Sequence, residues 1–150
     1  MGRAARNLFA KIKILHVLES FSPKFGAPVT ILKSLARAQA KRGCDVTVCV
    51  TNLDHPEGIF HEAGEERHCG GKMKIMYFPV QMKSTKISMQ MSRFLIRNVK
   101  IFDVVHVHGI YLYLQVFAAA VARKFDKPYL VSPHGSLDHY LYKKVLTTCC

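Results

Sequence analysis

Tyr129-Leu-Val-Ser-Pro-His-Gly-Ser-Leu-Asp138 is the stretch that decides the fold. Its first residues read as a short buried strand running straight into a Pro-His-Gly turn. A titratable side chain, His134, stands at the strand exit, and Gly135 beside it lets backbone approach closely. The same grammar occurs twice upstream. Lys11–Leu18 is an apolar strand emptying into a loop that carries Gly26-Ala27-Pro28, and Asp103–Val107 empties into His108-Gly109. Strand ends punctuated in this way are what an open α/β sheet uses to build a ligand crevice.

Working outward from that stretch, residues 1–10 read as a basic flexible arm, and residues 11–150 as one partial domain. Lys11–Leu18 becomes continuously apolar, as a strand covered on both faces does. Pro28 suits the first turn of a helix, Pro28, Ile31, Leu32, Leu35 and Ala38 recur at helical spacing, and Lys41-Arg42-Gly43 closes it. Asp45–Thr51 is the second strand. Residues 52–71 are polar and rich in Gly, Glu and His, and read as a long loop. Lys72–Val80 gives a third strand. Lys86–Ile101 reads as a helix with Ile87, Met91, Phe94 and Leu95 inward and Lys86, Arg93, Arg97 and Lys100 on another face. Phe102–Val107 is a fourth strand. Leu112–Phe125 reads as a helix apolar nearly all round, hence deeply buried, and Asp126-Lys127-Pro128 turns the chain into the fifth strand.

The order β-α-β-β-α-β-α-β with short buried strands argues an α/β protein with a doubly wound parallel sheet. The chain stops just after a strand exit, which reads as an incomplete domain. With 49% apolar and 21% charged residues it is an ordinary globular composition, and no run reaches the roughly 20 apolar residues of a membrane helix. The N-terminus lacks a signal-peptide core, and Arg6 stands where myristoylation needs Ser or Thr, so a cytoplasmic location is expected. Twenty-two basic residues against ten acidic give a formal charge of +12, which favours an anionic partner or simply keeps the chain soluble. Five cysteines without a C-x-x-C pair argue against a zinc or disulfide framework, and Cys44 and Cys49 read as small hydrophobes in or beside a strand.

Three places can carry chemistry. The loop at Gly26 opens a helix, whose first N–H groups can receive an anion, although neither G-x-G-x-x-G nor a P-loop is present. His106 and His108 form an H-x-H on one strand face, but no third ligand stands at a recognisable spacing and no metal site is expected. His106 reads as a core residue bonded to backbone, with His108 and Gly109 reaching the crevice. His134 is the strongest candidate, a neutral imidazole able to bond a substrate hydroxyl or phosphate or to move a proton. The bland reading is that it only shapes its turn. Ser136 has no G-x-S-x-G around it, which argues against a hydrolase.

Taken together, Ile12–Leu18, Gly26-Ala-Pro28, Phe102-Asp-Val-Val-His-Val-His-Gly109 and Val131-Ser-Pro-His-Gly-Ser-Leu-Asp138 resemble the N-terminal domain of family-4 glycosyltransferases. The likeness spans about residues 11–144. The first loop departs from the family's usual pair of glycines, reading Phe25-Gly-Ala-Pro. The resemblance implies one Rossmann-like half of a GT-B architecture and retaining transfer of a sugar from a nucleotide-sugar to a glycan or lipid-linked acceptor. It implies no metal and no bound cofactor beyond that co-substrate. It places His134 at the reaction centre, the Gly26, Ala27 and Pro28 loop near the donor diphosphate, and His108, Gly109, Gly135 and Asp138 along the cleft. It further implies a C-terminal donor-binding domain, in a longer or separately encoded chain, without which these 150 residues are expected to be inactive. The competing reading is a non-catalytic module that binds an anionic ligand or membrane surface through the basic helix face. Nucleic acid is not an expected partner.

Overall fold

The structure, a computed structural model, describes residues 12–22, 26–53, 64–68, 71–81 and 86–135, with residues 64–68 and 71 described by backbone alone. Asp138, Ser136, Cys69, Cys149, Cys150 and the arm at residues 1–10 lie outside these.

One six-stranded sheet carries the domain. β1 (Lys13–Ser20), β2 (Asp45–Thr51), β4 (Gly71–Phe78), β5 (Val104–His108) and β6 (Tyr129–Ser132) run parallel, and β3 (Gly64–His68) pairs antiparallel with β4 at one edge. The spatial order β3-β4-β2-β1-β5-β6 reverses direction about β1, which is the Rossmann-like arrangement. Three helices cross between parallel strands: α1 (Ala27–Lys41), α2 (Met89–Asn98), extended by a 3-10 turn at Val99–Ile101, and α3 (Tyr113–Lys124).

Two apolar clusters sandwich the sheet. On one face Leu15, Val17, Val105 and Val107 pack under α2 and α3 through Met91, Leu95, Leu114, Ala118, Val121 and Ala122. On the other, Val46, Val48 and Val50 pack under α1 through Val29, Leu32, Ala36 and Ala40. Period-two alternation along each strand sends successive side chains to the two clusters.

Several local expectations are corrected. The polar stretch 52–71 contains β3. Gly-Glu-Glu-Arg-His has no apolar face to betray a strand, but a hairpin edge needs only backbone pairing with β4. The stripe of α1 is Val29, Leu32, Ala36 and Ala40, while Ile31 is exposed, because small alanines let this helix lie close over the valines of β2. α2 starts at Met89 rather than at Lys86, since Ser88 caps it by accepting from the Met91 N–H at 3.3 Å. Lys86 itself takes a left-handed φ of 54° and pairs with Glu19 instead of lying on the helix's basic face. α3 buries one stripe only, leaving Tyr113 and Val116 exposed. β6 is the edge of the described sheet, and Tyr129, Leu130 and Val131 are exposed rather than buried. No helix among the described residues is long and apolar enough to cross a membrane. Cys44 and Cys49 are buried and unpaired, in keeping with their reading as small hydrophobes.

Candidate functional site

Adjacent parallel strands place register-paired side chains on the same face. His16 of β1 lies opposite His106 of β5, and His108 lies opposite Ser132 of β6. With period-two alternation, His16, His106, His108 and Ser132 therefore share the α1 side of the sheet, toward the carboxyl ends of three neighbouring strands. His16 and His108 are almost wholly removed from solvent.

The rings form a continuous chain. Oε1 of Gln39, on α1, lies 2.8 Å from Nε2 of His16. Nδ1 of His16 lies 2.9 Å from Nε2 of His108, and Nδ1 of His108 lies 2.7 Å from Nε2 of His134. The His108 and His134 rings are stacked with an interplanar angle of 12°. His106 stands alongside, stacked on His108 at 4.1 Å between ring centres, with its Nε2 2.7 Å from Ser132 Oγ. Its partner is thus a side chain on the next strand, not the backbone expected from sequence. The strand exit is also filled differently from expectation: His108 is buried and meets the outer ring, His134, rather than facing the crevice itself.

Burial keeps these imidazoles uncharged. Desolvation holds the pKa of His16 down to about 4 from an ordinary 6.5, with a raising contribution from the Gln39 bond and a smaller lowering one from His106. Burial pushes His108 much further below, helped by its neighbours His106, His16 and His134. His106 and the half-buried His134 are lowered too, each chiefly by desolvation. At neutral pH every ring in the group is neutral, so each nitrogen in it is either a donor or an acceptor.

Backbone geometry fixes the outer end. His134 has φ 47° and Gly135 φ 81°, two consecutive left-handed residues directly after Pro133. For a histidine that conformation is uncommon and unfavourable, so the surroundings must hold it. At the neighbouring exit, Gly109 has φ 94°, and a Cβ there would fall 2.4 Å from Gln115 Nε2. Gln115 needs that space: its Nε2 donates to the His108 carbonyl at 2.9 Å, and its Oε1 accepts from the Leu112 N–H at 2.8 Å. The Gly109 N–H donates to the Ser132 carbonyl at 2.8 Å. One glutamine thus ties the β5 exit to the start of α3, and one backbone bond ties it to β6.

The first strand exit is built from α1. Gly26 is its N-cap with φ 65° and open space around the position of a Cβ, and Pro28 lies in its first turn. Among the described residues no side chain caps this end, and no acidic residue stands in its first turn, so its leading N–H groups keep their capacity for an acceptor. Ala27, which stands in place of the second glycine that the resemblance implies, is already the first helical residue, a backbone state that needs no glycine. Glu19, at the carboxyl end of β1, is nearly buried and pairs with Lys86.

Sequence reasoning singled out His134, His108, Gly109, Gly135 and the Gly26–Pro28 loop. All lie at carboxyl ends of adjacent strands β1, β5 and β6 or in the turns that follow. It missed His16, Gln39, Ser132 and Gln115. The available signal was a histidine alternating with apolar residues in Ile14-Leu-His-Val-Leu18, the same oddity as in His106-Val-His108. His16 also supplies the third imidazole that the H-x-H lacked in sequence. One ring nitrogen each from His16, His106 and His108 lie within 4.8 Å of one another, a donor set that suits a transition metal. Both nitrogens of His16 and of His108 are already hydrogen-bonded, however, so an ion would have to break the chain to bind.

No curated protein matches the chain. The sequence model of Glycosyltransferase Family 4 matches residues 28–148, from the first turn of α1 through every strand exit beyond β1. The parallel sheet that turns about β1 is the fold this match requires, and the chain belongs to glycosyltransferase family 4.

Proposed function

We propose that this domain forms the acceptor-side wall of a retaining glycosyltransferase cleft, transferring a sugar from a nucleotide-sugar to a glycan or lipid-linked acceptor. The observation that carries the reading is the convergence of Gly26, Gly109 and His134 on one edge of a parallel sheet, with His134 held in a left-handed turn by a buried ring behind it. In this reading His134 contacts the donor sugar. Its neutral ring, fixed in place, supports the oxocarbenium-like transition state by position and dipole rather than by charge. The uncapped start of α1 at Gly26, Ala27 and Pro28 faces the donor diphosphate. His108 and Gly109 set the floor behind His134 and Gly135 gives the backbone room; Asp138, outside the described residues, is assigned to the same cleft by the family resemblance alone. A donor-binding domain, in the same or a separate chain, grips the nucleotide.

The test is release of nucleoside diphosphate and formation of product from a panel of nucleotide-sugars, using this chain with its donor-binding domain. Turnover with retained anomeric configuration is expected, and the chain alone should show none. No turnover with any donor would sink the reading. A second reading has its own observation: α2 exposes Arg93 and Arg97 beside the apolar Met89 and Ile96, and Lys100 and Ile101 continue this surface. We infer that this surface can rest on an anionic membrane. Salt-sensitive binding to acidic vesicles, without any transfer activity, would favour that role alone.

A further inference from the structure

We propose that Gln39 and His16 are positioning residues for His134: through His108 they set its imidazole as the Nε2–H tautomer, so that Nδ1 meets the ligand as a hydrogen-bond acceptor. The ligand group this selects is a hydroxyl, not a phosphate or carbonyl oxygen.

The argument follows the protons. A neutral imidazole has one N–H and one bare nitrogen, so in a line of rings each bond fixes the next. Gln39 turns Oε1 to His16, an arrangement in which His16 carries its hydrogen on Nε2; the amide turned over would reverse every bond in the line. That leaves His16 Nδ1 bare, and His108 donates to it from Nε2. His108 Nδ1 is then bare, and His134 donates to it from Nε2. His134 Nδ1 is the remaining nitrogen, and among the described residues no partner takes it. Reversal of any single bond would set two N–H groups, or two lone pairs, against each other in a buried site, which is unfavourable.

Nothing within the three rings chooses between the two directions of the line. Gln39 breaks that symmetry from α1, 23 residues from His16 in sequence and three rings away from the ligand. Burial of His16 and His108 keeps an extra proton from blurring the choice. The frame is rigid enough to transmit it: Gln115 holds the His108 carbonyl, and Gly109 is bonded to Ser132. A bare nitrogen at the cleft accepts from an O–H and repels an anionic oxygen. The functional part of this inference rests on the reading that His134 faces the sugar, whereas the tautomer itself does not.

The experiment is long-range proton–nitrogen correlation NMR of the histidine rings in the full 150-residue chain at neutral pH. His16, His108 and His134 are expected to be protonated on Nε2 and bare on Nδ1. Gln39→Leu should leave His134 a mixture of both tautomers. Gln39→Glu, whose carboxylate also only accepts, should keep the wild-type pattern. In the enzyme assembled with its donor-binding domain, Gln39→Leu should lower kcat about tenfold or more with little change in KM, and Gln39→Glu should restore it. A proton on Nδ1 of His134 in the wild type, or unchanged tautomers in Gln39→Leu, would overturn the proposal. The expected tautomers in an assembly that transfers no sugar would instead leave it standing and remove the glycosyl-transfer reading.

Discussion

Strands β1 and β5 have two faces of opposite chemistry. Toward α2 and α3 they present Leu15, Val17, Val105 and Val107, a dry apolar layer. Toward α1 the intervening residues are His16 and His108, joined by a hydrogen bond, and His106, stacked on His108 and bonded to Ser132. Leu15 and His16 are equally inaccessible to solvent, yet they are buried for different reasons. The apolar layer stabilises by area and shape, and tolerates any substitution that keeps its volume. The histidine layer contributes little by area and is intolerant of any change that leaves a buried nitrogen unpaired. Depth alone therefore does not tell structure from function in this sheet; the bonding pattern does.

The comparison is broken most severely at the mouth of the histidine layer. His134→Ala should reduce transfer by roughly 10²–10³-fold in the enzyme assembled with its donor-binding domain. The chain should still fold, with a stability loss of about 1–3 kcal/mol because the buried His108 Nδ1 loses its donor; a loss of folding, or unchanged turnover, would reject the role assigned to it. On the dry face, Leu15→Ala or Leu95→Ala should cost about 2–5 kcal/mol in denaturant unfolding. Activity per folded molecule should stay near wild type.

Acid separates the two faces directly. The folded-state pKa of His16 is depressed from 6.5 to about 4, and that of His108 lies lower still. Between those values the unfolded chain binds more protons than the folded one, so the stability present above pH 6.5 is lost as pH falls toward 4. Each such histidine contributes a slope of about 1.4 kcal/mol per pH unit. Urea unfolding from pH 7 to pH 4.5 measures it, and His16→Gln should flatten the curve while Leu15→Ala shifts it without changing its slope. The smallest effect expected is at Gly109→Ala, about 1–3 kcal/mol, from a left-handed φ and collision with Gln115. That variant should also disturb the His108 carbonyl contact, visible as a changed NMR shift at Gln115 Nε2.

Much of the apolar part of the sheet is legible in the sequence. β2 is readable end to end because Val46, Val48 and Val50 alternate between Gly43 and Asn52, and its bounds are those expected. β3 is not, since Glu65-Glu-Arg67 offers no apolar period and its place at the sheet edge depends on pairing alone. β6 misleads in the other direction: Tyr129-Leu-Val131 is as apolar as a core strand, but no described strand or helix covers its outer side. The site shows the same division. His134, His108 and Gly109 announce themselves as strand-exit residues. His16 and Gln39 do not, because the bonds that recruit them span 92 and 23 residues and require both the adjacency of β1 and β5 and the inner face of α1.

The left-handed backbone of His134, φ 47°, has a consequence for how this position would behave under selection. Glycine and asparagine adopt that conformation more readily than histidine does. A randomised library sorted for folded protein alone should drift toward those two residues at position 134. The same library sorted for sugar transfer should return to histidine. Divergence between the two outcomes would mark a stability–activity trade-off at a single residue. If both selections keep histidine, the turn is favoured for its own sake and the trade-off does not exist.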